Sequence, residues 1–391
     1  MRVLHVITGL ETGGAEMMLL KLLSATPRAS IESAVISLTG PGGMIGERLA
    51  AIGVTVEAMG LARTPASIVG LPRLLTAARR ARPHLIQGWM YHGNLAASLI
   101  GALGSHPIPI LWGIRQTLYR LSDERRSTRA VIRLGSALSR LPSSILYNSA
   151  LSAEQHEAIG YDRTKRLVIP NGFDCNQFRS SAEARLDVRA ELGLPTDSIL
   201  IGLVARYHPM KGHEVFLRAA KLLSRDRPAL RFVLAGHEVT RENPALAALI
   251  EELRLGEHVI VLGERSDMPR LTAALDIASS SSVRSEGFSN AIGEAMSCGI
   301  PCVATDIGGS REIIGETGVL APPGDAAALA RAIGVILDES IDQRRARGAA
   351  ARARVEQKFS LPEIARRYHE LYRARVEMAG KPKGADLSPS A

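Results

Sequence analysis

Short apolar runs recur along the chain and alternate with longer segments in which apolar residues return every three or four positions. The short runs are typical of buried strands, and the longer segments are typical of amphipathic helices. The first half contains the predicted strands Val3–Thr8, Ser33–Leu38, Val54–Ala58, His84–Gln87, Ile108–Trp112, Ser144–Tyr147 and Leu167–Ile169. The second half contains the predicted strands Ile199–Ala205, Arg231–Ala235, Val259–Leu262, Asp276–Ser279, Pro301–Thr305 and Gly318–Leu320.

Helical segments separate these strands. They include Ala15–Ala25, Ser67–Ala81, Asn94–Leu103, Glu214–Ser224, Ala245–Leu253 and Ala291–Cys298. Strands that alternate with helices form parallel sheets through right-handed crossovers. The two successive series therefore predict an α/β protein with two doubly wound domains.

The junction between the two series is marked by Pro170–Gly172, a Pro-Asn-Gly turn that opens a polar stretch. We place a hinge at Asp174–Ser180. This hinge gives an N-terminal domain of residues 1–178 and a C-terminal domain of residues 179–378. Two doubly wound domains that face one another form a cleft, which is a preferred place for ligands.

The C-terminal end of the chain contains one more long helical pattern, Pro362–Met378. We expect this helix to pack back across the hinge. Residues 379–391 are polar and rich in Pro and Gly, and we expect them to form a disordered tail.

The composition is that of a globular protein with 391 residues, of which 46% are hydrophobic and 22% are charged. Cys175, Cys298 and Cys302 are too few for a disulfide framework or a four-thiolate zinc site. No apolar run approaches the ~18 residues of a membrane span, and the first run is predicted to be a strand rather than a signal peptide. We therefore expect a cytoplasmic protein.

The net charge of +9 is unevenly placed. Residues 1–178 contain 19 Lys and Arg against 11 Asp and Glu, whereas residues 179–391 contain 29 against 28. The excess is concentrated between Arg115 and Arg140. Such a run binds anionic lipid head groups or phosphate-bearing substrates, or it forms a solvated helix face. Because aromatic residues make up only 4% and no nucleic-acid-binding motif is present, we expect no nucleic-acid partner.

The most informative segment is Ser281–Gly299, in which a strand leads through a polar loop into an amphipathic helix. Gly287 permits an unusual backbone turn, and the N–H groups that follow it lie at a helix N-terminus, which favours a phosphate. Glu286 and Glu294 are two helical turns apart, so they project from the same side. Two carboxylates on one side can accept hydrogen bonds from sugar hydroxyls. In an isolated pair of this kind, however, the first glutamate more often caps the helix and the second is simply exposed to solvent.

Two further loops follow predicted first strands. Arg206 and Lys211 flank a short loop before a helix, where two cations can neutralise a diphosphate and stabilise charge left on it as a bond breaks. Either residue alone would be interpreted as a surface cation. Gly9–Gly14 resembles a phosphate-approach loop but has neither the Gly-x-Gly-x-x-Gly spacing nor a P-loop Gly-Lys-Ser/Thr.

The order of these motifs is similar to that of glycosyltransferase family 4, a family of retaining enzymes with the GT-B fold. The resemblance covers about 1–372 and is carried by GLETGGAE, NGFD, VARYHPMKGHE, LGERSDMP and EGFSNAIGEAMSCGIPCVATDIGG. The last of these is the most specific. QGWMYHGNLAA and LWGIRQT look more like bacterial members that build exopolysaccharide, capsule or O-antigen.

The resemblance implies two Rossmann-like domains that face one another across a cleft, and transfer of a sugar from a nucleotide-sugar without a metal or other cofactor. The donor, a UDP-sugar or GDP-sugar, would bind the C-terminal domain. A saccharide or lipid-linked saccharide acceptor would bind the more basic N-terminal domain. If the acceptor is lipid-linked, the charge excess of this domain predicts that its arginine run helps to dock the enzyme on the inner face of the plasma membrane.

The resemblance also assigns roles to individual residues. Arg206 and Lys211 match the pair that holds the donor diphosphate, Glu294 matches the glutamate on the ribose hydroxyls, and Glu286 matches the one near the donor sugar. The remaining donor-side matches are the backbone groups of Phe288, Ser289 and Asn290, the base-contacting segment Gly263–Arg265, and the N-terminal loop residues Gly13 and Gly14.

The sequence departs from the family after the fifth N-terminal strand, where many members have a histidine. Here Arg115 and Gln116 occupy the place, and Arg115 is the candidate that stabilises the departing phosphate or holds an acceptor. His92 is the other acceptor-side candidate, although a lone histidine at a helix start more often caps or packs.

Other functions stay open at this point. The chain contains no Asp-x-Asp metal motif, so cations and helix N-termini would take the electrostatic role of a metal. A nucleotide-sugar epimerase of the same fold would isomerise the donor without any acceptor. A non-catalytic sensor would bind the sugar nucleotide without converting it. A dinucleotide dehydrogenase is disfavoured because the first βα turn lacks its fingerprint.

Overall fold

The structure is a computed structural model. It describes residues 1–11, 13–40, 43–61, 70–104, 106–195, 198–284 and 286–380. The chain forms two compact units, Phe173–Leu361 and a unit in which Met1–Gly172 is joined by the segment that begins at Pro362. The predicted hinge, Asp174–Ser180, lies just beyond the point where the chain enters the second unit.

Some predicted features fall partly outside the described residues. They are residues 381–391 of the expected tail, residues 67–69 of the predicted helix Ser67–Ala81, and Thr12 of the Gly9–Gly14 loop. The predicted C-terminal helix extends over Leu361–Gly380. Within the described residues, no helix combines the length and the apolar character needed to cross a membrane.

The first unit is built on a seven-stranded parallel sheet in the order β3-β2-β1-β4-β5-β6-β7. Its strands are β1 (Arg2–Ile7), β2 (Glu32–Ser37), β3 (Thr55–Ala58), β4 (Leu85–Trp89), β5 (Ile110–Ile114), β6 (Ser144–Tyr147) and β7 (Arg166–Val168). Its helices are α1 (Gly14–Ser24), α2 (Gly43–Ala51), α3 (Leu71–Ala81), α4 (Met90–Ala102), α5 (Arg126–Leu138), α6 (Ala150–Ala158) and most of the C-terminal helix.

The helix α4 begins four residues earlier than the sequence predicts, directly at the end of β4. Met90 adopts a φ of +61°, which turns the chain from strand to helix within one residue. A Cβ on Gly93 would overlap the Val6 carbonyl, so only glycine lets the first turn of α4 lie against β1. This contact brings α4 to the C-terminal ends of β1 and β4, between which the strand order reverses.

The second unit is built on a six-stranded parallel sheet in the order β10-β9-β8-β11-β12-β13. Its strands are β8 (Ile199–Val204), β9 (Leu230–Ala235), β10 (Val259–Val261), β11 (Ile277–Ser280), β12 (Cys302–Thr305) and β13 (Val319–Ala321). Its helices are α7 (Ala182–Glu191), α8 (His213–Ser224), α9 (Pro244–Glu252), α10 (Met268–Ala273), α11 (Asn290–Ser297), α12 (Ser310–Ile314), α13 (Ala326–Leu337) and α14 (Ile341–Lys358).

Both sheets confirm the prediction of two doubly wound, Rossmann-like parallel sheets, and every predicted strand overlaps an observed one. Each sheet buries both faces, because apolar side chains of its strands pack against helices on either side. The continuous apolar runs of the sequence reflect this two-sided burial.

Candidate functional site

Two loops of the second unit lie side by side at the C-terminal edge of its sheet, one after β8 and one after β11. The hydroxyl of Ser281 donates to the carbonyls of Lys211 at 2.9 Å and Gly212 at 3.0 Å. The N–H of Val283 donates to the carbonyl of Met210 at 2.8 Å. Because the strand order reverses between β8 and β11, this is the edge where open α/β sheets bind ligands.

Gly212 makes the close approach of the two loops possible. Its φ of +66° lies in the left-handed region, and a Cβ at this position would overlap the Ser281 carbonyl. A side chain here would push the loops apart. The glycine therefore fixes the distance between the residues that each loop carries.

Glu286 of the second loop forms an ion pair with Lys211 of the first. The Nζ of Lys211 lies 2.6 Å from the Oε2 of Glu286, and the hydroxyl of Ser282 donates to the same oxygen at 2.9 Å. The side chain of Glu286 is only 10% exposed, against 28% for Lys211. A nearly buried carboxylate requires such partners. The structure therefore brings together two residues that the sequence singled out, and adds Ser282, which the sequence analysis missed.

The end of β12 and the loop that follows it hold the Glu286 loop from its other side. The hydroxyl of Thr305 donates to the Ser282 carbonyl at 2.6 Å, and the N–H of Gly309 donates to the Gly287 carbonyl at 2.9 Å. Gly308 has a φ of +61°, and a Cβ there would overlap the carbonyl of Glu286. The backbone that carries Glu286 is thus constrained by both neighbouring loops.

The helix α11 begins directly after this loop. Ser289 caps it by accepting a hydrogen bond from the Ile292 N–H at 3.5 Å. The ring of Phe288 is buried, with its centroid 6.2 Å from that of Phe173 and 5.4 Å from that of Phe359. The side chain of Phe288 therefore belongs to the core, and only its backbone can face a ligand.

The other motif residues of α11 lie near the same sheet edge. Asn290 is the first residue of α11 and is partly exposed. Glu294 is partly exposed too, and it lines a small crevice with Gly202 of β8 and Ser279 of β11. Glu286 thus contacts the loops that follow β8 and β11, and Glu294 lies beside the same two strands.

Cations surround the loop after β8. The side chain of Arg206 is exposed and makes no hydrogen bond or ion pair with any described residue. Arg284, which the sequence analysis missed, is exposed and follows Val283 directly in the neighbouring loop. Burial lowers the pKa of His208, and the nearby charges of Arg206, Arg284 and Lys211 lower it further. The signal for Arg284 in the sequence was its place two residues before Glu286.

Arg265 does not join this cluster through its guanidinium. That group donates to both carboxylate oxygens of Asp267, at 2.8 and 2.6 Å, and to Glu191 at 2.7 Å. Hydrogen bonds from Arg265 lower the pKa of Asp267 to about 2. The neighbouring Gly263 is held by its own backbone, because its carbonyl accepts from the Gly236 N–H at 2.8 Å. The guanidinium of Arg265 is thus engaged in a local ion-pair network.

In the first unit, Gly13 and Gly14 lie at the start of α1. Gly13 precedes the helix in an extended conformation, and a Cβ on it would overlap the carboxylate of Glu16. Burial raises the pKa of Glu16, and a hydrogen bond from its own backbone opposes that shift. The N-terminus of α1 therefore already has a carboxylate next to it.

Arg115 is buried at the end of β5, where three groups of the first unit surround its guanidinium. Its Nη1 donates to the Ile169 carbonyl and to the Tyr368 hydroxyl, both at 3.0 Å, and its Nη2 donates to the Asn171 side-chain oxygen at 2.5 Å. Desolvation lowers the pKa of Arg115. These contacts tie β5, the segment after β7 and the C-terminal helix together, which favours a structural role. A catalytic role for Arg115 stays a prediction.

His92 and Gln116, the other candidates of this unit, lie near the same strand ends. His92 is exposed on the first turn of α4. The amide of Gln116 donates to the hydroxyl of Tyr91 at 3.2 Å, and this hydroxyl lies 2.8 Å from the Nε2 of the buried His156. Burial lowers the pKa of His156 to about 4. Gln116 therefore belongs to a polar network that includes a histidine from α6.

The predicted arginine run forms the helix α5 and its flanks. We define the α5 surface by its exposed residues Arg120, Arg125, Arg126, Arg133, Leu134, Arg140 and Leu141. Within the described part of the chain, its arginines form no ion pair. Ile132 and Gly135 are buried on the opposite face of the helix. The surface therefore combines unpaired positive charge with exposed apolar side chains.

The arrangement in the second unit suits an anionic ligand that carries hydroxyl groups. Lys211 and Arg206 supply positive charge, and Lys211 contacts the loop that leads into α11, whose N-terminus favours phosphate oxygens. Glu286 and Glu294 supply acceptors for hydroxyls. Positive groups at this edge could stabilise charge that develops on a phosphate there.

Comparisons with known proteins cover both units. Residues 12–177 match the family described as "Glycosyltransferase Family 4", and residues 198–339 match the family described as "Glycosyl transferases group 1". The D-inositol 3-phosphate glycosyltransferase of Kineococcus radiotolerans is 32% identical over 257 residues, which is 60% of this chain and 58% of that protein. A putative glycosyltransferase, EpsD of Bacillus subtilis, is 33% identical over 44% of this chain and 48% of its own length. The chain thus spans about half the length of these curated relatives.

A solved structure extends the likeness over nearly the whole chain. Anabaena HepE, solved in complex with UDP and glucose, has a TM-score of 0.84 and 22% identity over 96% of this chain and 100% of its own. At this identity the likeness shows the fold alone. The fold is GT-B, as the motif order implied.

Proposed function

We propose that this chain, which belongs to the glycosyltransferases by both family matches, moves a sugar from a nucleotide-sugar donor to a saccharide or lipid-linked saccharide. The observation that carries the proposal is the Lys211–Glu286 pair at the C-terminal edge of the sheet. This pair combines a cation for phosphate with a carboxylate for sugar hydroxyls. The reaction retains the anomeric configuration and uses no metal.

The donor diphosphate is held by Lys211 and Arg206, next to the backbone N–H groups at the start of α11. As the bond between sugar and phosphate breaks, negative charge grows on the departing diphosphate, and the two cations stabilise it. Glu286 accepts hydrogen bonds from the donor sugar, and Glu294 accepts them from the ribose. No strong base is required if the departing phosphate takes the proton of the acceptor hydroxyl.

The donor is proposed to be a UDP-sugar, with a GDP-sugar as the second choice. Support for UDP comes from the HepE structure, which was solved with UDP and glucose. The acceptor is proposed to bind the first unit, in cell-surface polysaccharide or glycolipid synthesis. The relatives named D-inositol 3-phosphate glycosyltransferase make an inositol phosphate one acceptor to include in the test.

The α5 surface is proposed to dock on the inner face of the plasma membrane. Its unpaired arginines attract anionic lipid head groups, and Leu134 and Leu141 reach the interface beneath them. This docking would bring the enzyme to a lipid-linked acceptor. Failure of the chain to sediment with phosphatidylglycerol vesicles at low salt would remove this part of the proposal.

Release of nucleoside diphosphate tests the reaction. The purified chain is incubated with UDP-glucose, UDP-N-acetylglucosamine or GDP-mannose, in EDTA, with and without acceptors that include inositol phosphate and a lipid-linked saccharide. A glycosyltransferase releases the diphosphate faster with its acceptor. An epimerase converts the sugar without any acceptor and releases none. Binding of the donor without either change would identify a sensor.

A further inference from the structure

Ser282 is one of four consecutive serines, Ser279–Ser282, at the end of β11, and it is the only one of them that contacts the Glu286 carboxylate among the hydrogen bonds of the described residues. Ser282 is only 1% exposed. Its hydroxyl donates to the Oε2 of Glu286 at 2.9 Å, and its carbonyl accepts from Thr305 at 2.6 Å. The buried position and these two hydrogen bonds therefore fix both the hydroxyl and the backbone of Ser282.

Lys211 contacts the same carboxylate oxygen in a different way. Its side chain is a flexible stem that is 28% exposed, and its ammonium is a point charge without a preferred direction. When this charge is shared with a diphosphate, its hold on Glu286 weakens. A nearly buried carboxylate that loses part of its counter-charge then depends more strongly on its hydrogen bonds for its orientation, and the bond from Ser282 is one of them.

We propose that Ser282 is a positioning residue that orients the Glu286 carboxylate toward the donor sugar while Lys211 serves the diphosphate. The inference rests on the proposed function of the site. In this site Lys211 provides positive charge for the diphosphate, and Ser282 fixes the orientation of the Glu286 carboxylate. Loss of Ser282 should therefore weaken recognition of the sugar and leave recognition of the diphosphate intact.

The test is calorimetric titration of the full chain with UDP and with UDP-glucose, in EDTA. We compare the ratio of the two dissociation constants, Kd for UDP-glucose over Kd for UDP. In Ser282→Ala this ratio should rise about ten-fold, since hydrogen bonds to charged groups are typically worth that factor or more. The Kd for UDP alone should change less than about two-fold. A merely structural defect would weaken both ligands together.

Two further variants control the result. Ser198→Ala removes another buried serine hydroxyl, at the opposite end of β8, which has no partner among the described residues. It should leave the ratio at the wild-type value. Thr305→Val removes the bond to the Ser282 carbonyl without removing the serine, and should raise the ratio by a smaller factor, about three-fold.

A double-mutant cycle decides whether Ser282 acts through Glu286. In a Glu286→Gln background, the additional change Ser282→Ala should not raise the ratio further, because the oriented carboxylate is already gone. An unchanged ratio in Ser282→Ala, or an equal rise in the Glu286→Gln background, would overturn the inference. If Ser282→Ala does not fold, an unchanged ratio in Thr305→Val overturns it. A wild-type chain that binds neither UDP nor UDP-glucose would instead overturn the proposed UDP-sugar donor.

Discussion

Lys211 of the second unit and Arg115 of the first both follow a strand near the C-terminal edge of a parallel sheet, yet their surroundings are opposite. Lys211 is partly exposed, and among the described residues its ion-pair partner is the Glu286 carboxylate of a neighbouring loop. Arg115 is buried, and its guanidinium donates to a backbone carbonyl, an amide oxygen and a tyrosine hydroxyl. The place of a cation at a strand end therefore does not decide its role. The partners of the cation bear on its role as well, because a guanidinium that donates to neutral interior groups stabilises the packing around it.

Among the substitutions that distinguish the roles of Lys211 and Arg115, Lys211→Ala should have the largest effect. Removal of this charge should lower kcat/KM for the donor by about 10²–10³-fold, since the departing diphosphate loses a directed cation. Initial rates of diphosphate release at sub-saturating donor measure the effect. Arg231→Ala, which removes a cation at the start of β9 on the opposite edge of the sheet, is the matched control and should leave the rate unchanged. Equal rates for Lys211→Ala and wild type would show that Lys211 does not stabilise the departing diphosphate.

Arg115→Ala should act mainly on stability. It leaves the Ile169 carbonyl and the Asn171 oxygen with one donor fewer in the interior, so we expect a loss of about 3 kcal/mol in the free energy of unfolding. Chemical denaturation followed by circular dichroism measures this loss. A variant that is as stable as the wild type but no longer releases diphosphate would show that Arg115 acts in the reaction rather than in stability.

The buried histidines should make both units sensitive to acid. The pKa of His156 in the first unit and of His213 in the second are each lowered to about 4, mainly by burial. Since the unfolded chain takes up these protons near pH 6.5, stability is fully present above that pH. It is lost as the pH falls from 6.5 toward 4, by up to about 1.4 kcal/mol per pH unit for each histidine.

Melting temperatures of the wild type between pH 7.5 and 4.5 measure this dependence, with His156→Gln as the comparison. The variant should be less stable at pH 7.5 but should lose less stability on acidification. A variant whose melting temperature falls as steeply with pH as that of the wild type would show that His156 does not take up a proton on unfolding.

The smallest effect is expected at the α5 surface. Replacing Arg126 and Arg133 by Gln should reduce sedimentation with anionic vesicles several-fold at low salt. With a soluble acceptor, the rate of diphosphate release from the donor should change little. The matched control replaces Arg345 and Arg241, exposed arginines of the second unit. Equal sedimentation of both double variants would show that the α5 surface is not a special docking site.

The strands were predictable because both faces of each sheet are buried, so each strand is a short apolar run. The helix α14 was not predicted, because its 18 residues are rich in arginine and bury only small or short side chains such as Gly348, Ala351 and Val355. Such a helix has little apolar periodicity. The start of α4 was placed too late because the left-handed turn at Met90 leaves no signal in the sequence.

The site was predictable as far as its motif extends. Lys211 and Glu286 come from loops that parallel-sheet topology brings to one edge, so their proximity follows from the fold. The role of Ser282 could not be predicted, because the four serines Ser279–Ser282 are identical in the sequence. Ser281 bonds the Lys211 loop, and Ser282 bonds the carboxylate. Only the backbone path distinguishes them.

Titration of the full chain with UDP and UDP-glucose in EDTA, for the wild type and for Lys211→Ala, tests the central claim most directly. The wild type should bind both ligands without a metal. Lys211→Ala should weaken the binding of both at least ten-fold, while its melting temperature stays close to that of the wild type. Equal affinities in the two proteins would contradict the claim that the C-terminal edge of the second sheet holds the donor diphosphate.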